Sequence, residues 1–541
     1  MFPTLKSREA SASTTTRPFL RPAFAATVGV AALALAACGS QADPEASADV
    51  SAAGGEMTQG GELVFAEQQA PPSLDPGTLD RAYTDFTMLA YDPLFYLTPQ
   101  GEVEPRLAES WEFVGGENKE LDVTLREGMT FSDGDPVTAD AVVASLEYSR
   151  DAQGNHAHFL EDATFEATGD LTFAITVETP NPMLPKLLTQ QYPIGQIISP
   201  QGLADPAALD LASDTHGAGP YVYVPEESVP GDHYVYEANP DYYDPEQQHW
   251  DSVEIRIFAD KQAALNAATT DQIMMFKGDG SLAAQAQSSG LSVIANPGIM
   301  TGLFLIDRDG ETVPALGDVR VRQAINYAID RETVTTALLG EYGIPTFQTA
   351  IEGADGYSEA NADLYAYDPD KARELLAEAG YADGFELPVM TAVFAGFEQM
   401  GEAIKGQLAE VGITVTTDVK TDIAAYSEGA TDKSFGAFVG GYDANPIYQQ
   451  GLDLFLPSSN FFNGFGTESE ELNDLWLQAA SADPATQADL DVQIEDYLLE
   501  NAWFAPVAWA PVMYFATDSI GGVETSAGSP FASPLAWYPA S

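Results

Sequence analysis

The chain is short of cysteine and of positive charge. Cys38 is its only cysteine, so no disulfide can form within it. Lys and Arg number 22 against 82 Asp and Glu, a formal net charge of −60. A field of that sign repels phosphate backbones and anionic membrane surfaces, which excludes nucleic acid as a partner. It suits cationic ligands, and it serves equally as a solubility or salt adaptation. Histidine is scarce too, with 5 in 541 residues. His156 and His158 stand at metal-ligand spacing but lack a third histidine or a cysteine, so no metal site is expected. Neither a Gly-x-Ser-x-Gly elbow nor a His-Glu-x-x-His helix occurs. A glycosidase would need two carboxylates about 5–10 Å apart, and no pair is marked out for that role. No catalytic residue and no cofactor is expected. Beyond Cys38 no apolar run is long enough to cross a bilayer.

What is present begins at the N-terminus. Lys6, Arg8, Arg17 and Arg21 precede an apolar run from Ala23 to Ala37. That order of basic and apolar segments is a secretory signal over residues 1–37. The sequence Leu35-Ala36-Ala37-Cys38-Gly39 is similar to a bacterial lipobox, in which the cysteine is lipidated and becomes the first mature residue. A lone cysteine at that place in a secreted chain fits this reading. Residues 38–60 are rich in Ala, Ser, Gly and acids and read as a flexible tether.

Order is expected from Gly61 onward, with hydrophobic content of 45% suited to a globular protein. Glu62–Ala66 reads as a strand, and Leu121–Leu125 alternates apolar and polar as a half-buried strand does. Thr138 caps a helix over Ala139–Arg150. From Asp318 helices alternate with strands. Asp368 and Pro369 open one helix and Gly380 closes it. A strand at Leu387–Thr391, a helix at about Phe397–Val411 and a strand at Ile413–Val419 make a βαβ unit with a parallel pair.

Several blocks carry a family signature in order. They include Ser73-Leu74-Asp75-Pro76, Leu107-Ala108-Glu109-Ser110-Trp111, and Arg126-Glu127-Gly128-Met129-Thr130-Phe131-Ser132-Asp133-Gly134. Gly217-Ala218-Gly219-Pro220-Tyr221, Asn239-Pro240-Asp241-Tyr242-Tyr243 and Val319-Arg320-Val321-Arg322-Gln323-Ala324-Ile325 follow. From about Gly60 to its C-terminus the chain resembles the extracellular solute-binding proteins of family 5, which serve ABC importers of the peptide, dipeptide and nickel type. The resemblance implies an α/β, periplasmic-binding-protein-like fold: two lobes joined by a two-strand hinge, with an extra subdomain inserted in the first lobe. It places lobe I over 61–90, 215–305 and 508–541, the insert over 91–214 and lobe II over 306–507. It implies a monomer that closes on a small solute, a peptide above all, and meets permease subunits, touching the membrane through its lipid only. Carriers of oligosaccharides, nickel or haem share this scaffold and stay open as alternatives.

The resemblance also implies a site. Peptide binders of the family carry a tryptophan and an aspartate at the stretch Gly440-Gly441-Tyr442-Asp443-Ala444-Asn445-Pro446. Asp443 matches the aspartate that holds the peptide ammonium, with Tyr442 and Asn445 beside it. The tryptophan is absent, and the spacing to Pro446 is one residue shorter. Glu67 and Gln68, after the first strand, are expected to face the cleft. No arginine follows Arg373, so Lys433 is left as the cation for a ligand carboxylate. The aromatics Tyr448, Phe455, Phe461, Phe462 and Phe465 could together form a stacking platform.

Overall fold

The computed structural model describes residues 59–540 except 153, 155, 212, 458 and 460, and says nothing of the Ala208 side chain. The signal segment, Cys38 and nearly all of the tether lie outside the described residues.

One large sheet runs through the molecule. Its strands are β1 (Glu62–Glu67), β2 (Tyr221–Tyr223), β3 (His233–Ala238), β4 (Ser252–Ile257), β5 (Met275–Gly278), β6 (Ser292–Leu305), β7 (Phe385–Ala392), β8 (Ile413–Lys420), β9 (Ala437–Asp443) and β10 (Phe504–Ala516). Their order across the sheet is β8-β7-β9-β6-β10-β5-β1-β4-β3-β2, and an eleventh strand, Ile344–Pro345, pairs with β10 off this path. The expected βαβ unit is present. β7 and β8 are parallel, with Phe385 opposite Ile413, and the helix Phe397–Glu410 connects them. The predicted caps form as well: Asp368 accepts the Lys371 N–H at 2.8 Å, and Gly380 adopts φ +92° just past the helix.

Two long strands join the lobes. β6 and β10 pair antiparallel from Ser292 opposite Ala516 to Phe304 opposite Phe504. Over its last residues, Met513 to Ala516, β10 flanks β5 on the other side, with Met275 opposite Ala516; over its second half β6 flanks β9, with Ile299 opposite Asp443. The register shifts between Pro297 and Ile299, where Pro297 faces Pro511. A Cβ on Gly298 would lie 2.7 Å from the Val512 side chain, so only glycine allows the strands this approach. Proline removes ladder hydrogen bonds from both strands at the same point, which makes it the natural place for a bend.

The segment between β1 and β2 carries a separate four-stranded antiparallel sheet, built from Ala108–Val114, Glu120–Leu125, Thr172–Thr176 and Thr164–Ala167 in that spatial order. The helix Ala139–Asp151 packs on it, with the Thr138 side chain accepting from Ala141 N. Separate apolar cores serve the two ends of the large sheet. Phe65, Tyr236, Ile255 and Trp537 belong to one, and Phe304, Phe438, Phe504 and Leu387 to the other.

Candidate functional site

Where β6 and β10 cross between lobes, a cavity of about 440 Å³ opens beside Val512. That volume suits a small solute.

One wall is built from strand ends. β1 and β5 run parallel with Ala66 opposite Phe276, so Glu67 and Lys277 emerge side by side at their C-terminal edges. The Lys277 ammonium lies 2.9 Å from Glu67 Oε1 and 2.6 Å from Asp85 Oδ2. Burial pushes the Glu67 carboxyl up to about 7, against the attraction of Lys277 and with the repulsion of Asp85. Burial opposes the Lys277 charge as well, but Asp85 and Glu67 outweigh it and hold the ammonium well above the usual lysine range. Gln68 donates its Nε2–H to the Lys277 carbonyl at 3.4 Å.

The facing wall centres on Arg81. Asp80 caps the short turn Arg81–Tyr83 by accepting from Ala82 N. His156 Nε2 accepts the Arg81 backbone N–H at 3.2 Å. Burial lowers that imidazole to about 4, so the ring is neutral at physiological pH and able to accept. The Arg81 guanidinium sits 4.8 Å from the centroids of both Tyr192 and Phe531. Its terminal nitrogens donate to Asn445 Oδ1 at 3.4 Å and Gln191 Oε1 at 3.5 Å, and one of them lies 3.8 Å from Asp443 Oδ2. Its Nε–H has no hydrogen-bond partner among the described residues. The low-dielectric surroundings raise the Asp443 carboxyl, Arg81 draws it back, and Asp80 adds repulsion. The Asp443 side chain keeps 40% of its surface exposed to the cavity.

Of the residues singled out from sequence, Asp443, Glu67 and Gln68 line this cavity together. Tyr442 does not. Successive strand residues face opposite ways, so Tyr442 points into the core, where its hydroxyl donates to Asp453 Oδ2 at 2.9 Å. Asn445 touches Arg81 but lines a smaller adjoining cavity. Lys433 is not brought to either. It precedes β9, at the opposite end of the strand from Asp443, and its ammonium lies 3.4 Å from the Phe465 carbonyl and 3.7 Å from Glu311. The aromatics go to the core: Phe461 and Phe462 pack on Phe438, and Tyr448 stacks on Trp476. Among the described residues no cluster of three or more metal-ligating side chains occurs.

Sequence reading missed Arg81, Asp85, Gln191, Lys277 and Phe531. Two signals pointed to the cations. Lys277 ends a strand running parallel to the one that ends at Glu67, and in α/β sheets ligands gather at such strand ends. Arg81 is a rare basic residue in a loop otherwise rich in acids and small residues.

The comparisons agree with this architecture. The model of the bacterial extracellular solute-binding proteins, family 5 Middle, matches residues 102–463. Heme-binding protein A of Haemophilus influenzae is 28% identical over 479 residues, covering 81% of this chain and 84% of that protein. The glutathione-binding protein GsiB of Salmonella typhi is 26% identical over 440 residues, covering 77% and 82%. The periplasmic binding protein DppA of Helicobacter pylori, solved in complex with the peptide STSA, superposes with a TM-score of 0.72 at 21% identity, covering 90% of this chain and 99% of that one. With the family match spanning most of the chain, its two-lobed sheet and its interlobe cavity find their place: the chain belongs to the bacterial extracellular solute-binding proteins of family 5.

Proposed function

We propose that the protein is the capture component of an ABC importer and that its solute carries a primary ammonium, with peptides the favoured class. The observation that carries this is the charge of the cavity wall. Glu67, Asp80, Asp85 and Asp443 line it, against Arg81 and Lys277. The negative excess calls for a cation, and Asp443 lies 3.8 Å from Arg81, farther than Glu67 and Asp85 lie from Lys277. A neutral oligosaccharide offers no charge to that wall. The names of relatives support the same class, since glutathione and the STSA peptide both bear a free amine. The protein binds its solute between the lobes and releases it unchanged.

The ligand is to be identified by mass spectrometry of small molecules released on denaturing protein purified from its native host. Calorimetric titration then compares wild type with Asp443→Asn. Leaving one partner of a desolvated charge pair unmatched costs roughly 2–5 kcal/mol, so a cationic ligand should bind at least about tenfold more weakly. Equal binding of a cationic ligand by both proteins overturns the assignment of Asp443.

Anchoring through a lipid on Cys38 belongs to the same proposal. A palmitate analogue fed to cells should label wild type and leave Cys38→Ala unlabelled. Equal labelling would remove the anchor from the account.

A further inference from the structure

A second cavity of about 200 Å³ lies beyond the contact between Arg81 and Asn445. Its lining includes Lys186, Asp355, Asn445 and Trp509, together with Gly101 and Gly528. Two of these side chains are hydrogen-bond donors without acceptors. The Trp509 indole is 2% exposed, and its Nε1–H has no partner among the described residues. The Lys186 ammonium makes no hydrogen bond or ion pair among the described residues, whereas the Lys186 backbone carbonyl is engaged by Thr189. Burial lowers its pKa, with Asp355 opposing that shift and Arg81 adding to it. Trp509 also borders a smaller cavity of about 110 Å³ on its other side. Buried polar groups are almost always paired in folded proteins, so the Trp509 Nε1–H calls for an acceptor, and the Lys186 ammonium, attracted by Asp355 but not hydrogen-bonded to it, has donors to spare beside it.

We propose that this second chamber is the subsite for a carboxylate of the captured solute, held by the Lys186 ammonium and the Trp509 Nε1–H. A carboxylate offers acceptors to both donors and one compensating charge. A doubly charged phosphate is disfavoured by Asp355 on the same wall. Asn445 is the hinge point between the chambers, because it borders this cavity while its Oδ1 accepts from Arg81, which lines the first one. A zwitterion therefore fits with its ammonium on the Asp443 side and its carboxylate on the Lys186 side. The assignment deepens the reading of the first chamber and shares with it the premise that one solute spans both.

The test uses a mixture of peptides two to five residues long in three forms: free acids, C-terminal carboxamides and N-acetylated acids. Retention by the full mature chain is read by native mass spectrometry and refined by titration of the tightest species. Wild type should prefer free acids over carboxamides by at least about tenfold. Lys186→Met should abolish that preference, Trp509→Phe should reduce it, and Lys186→Arg should keep it, with thermal unfolding confirming that each variant folds. If free amines are required but carboxamides bind as well as acids, the carboxylate subsite is overturned while the ammonium reading stands. If N-acetylated acids bind as well as free ones and Lys186→Met abolishes the acid preference, the carboxylate subsite stands and the ammonium reading falls. If wild type retains none of the three forms, both are overturned. An acid preference that survives Lys186→Met also overturns the subsite.

Discussion

The two walls of the first cavity use the same ingredients to different ends. On the Lys277 wall one ammonium meets two buried carboxylates at 2.6 and 2.9 Å. On the Arg81 wall one guanidinium meets a carboxylate, an amide and another amide at 3.4 to 3.8 Å, with its Nε–H unused. The first arrangement is the tighter of the two, because its ammonium donates to Asp85 and stands at ion-pair distance from Glu67, although Glu67 Oε1 makes no hydrogen bond among the described residues. The second keeps unspent capacity. Long contacts, a partly exposed carboxylate and stacking between two rings leave polar atoms that a solute can engage without first breaking a strong pair. Within one pocket, then, short ion pairs mark the scaffold, and the loosely held charges mark where recognition takes place.

Breaking the tighter wall should have the largest effect. Lys277→Met leaves Glu67 and Asp85, both largely buried, facing each other without a cation. Removing one partner from a buried ion pair costs roughly 3–5 kcal/mol. Urea unfolding of the ligand-free protein should show a loss of that order, and a loss below about 1 kcal/mol would show that the two walls do not differ in kind.

The same change on the open wall should act on binding instead. Arg81→Met frees a carboxylate that is already 40% exposed, although Arg81 itself is 16% exposed, so stability should fall by less than for Lys277→Met. The wall becomes wholly acidic, so a dicationic probe peptide should gain about tenfold over its monocationic analogue, measured by titration. An unchanged ratio would mean that Arg81 does not set the charge seen by the solute.

A smaller effect sharpens the contrast through pH. Glu67 goes from about 4.5 when exposed to about 7 in the folded protein. A raised carboxyl binds its proton more tightly in the folded state, so its contribution to stability is present at low pH. That contribution is lost as pH climbs from about 4.5 through 7. Buried Glu495, also pushed up to about 7, acts in the same direction. Melting temperature should therefore be higher at pH 5.5 than at pH 8. Glu67→Gln should flatten part of that slope, whereas Asp443→Asn should change it less. Identical slopes in wild type and Glu67→Gln would show that Glu67 does not titrate in this range.

Element formation was legible because its causes are local. Thr138, Asp368 with Pro369, and Gly380 act on backbone groups within a few residues, and each did so where the sequence placed it. The lobe crossing was harder to read. β9 joins β6 from Ile299 onward and β5 flanks β10 from Met513 to Ala516, inside strands that run unbroken between the lobes. A strand that keeps its alternation while changing neighbours leaves no local mark.

The sequence by itself determined the kind of molecule: an ordered blockwise signature, a parallel βαβ unit, an acidic composition and Asp443 as the match to a family aspartate. Only the tertiary structure decided which cations the cavity holds. Arg81 meets Asn445 across 364 positions and Lys277 meets Asp85 across 192. At such separations periodicity and capping carry no information, because the contact exists only once sheet order has brought the strand ends and the loop together. The same reason removes Lys433. It lies ten positions from Asp443, yet an extended strand of seven residues stands between them, carrying it roughly 20 Å away.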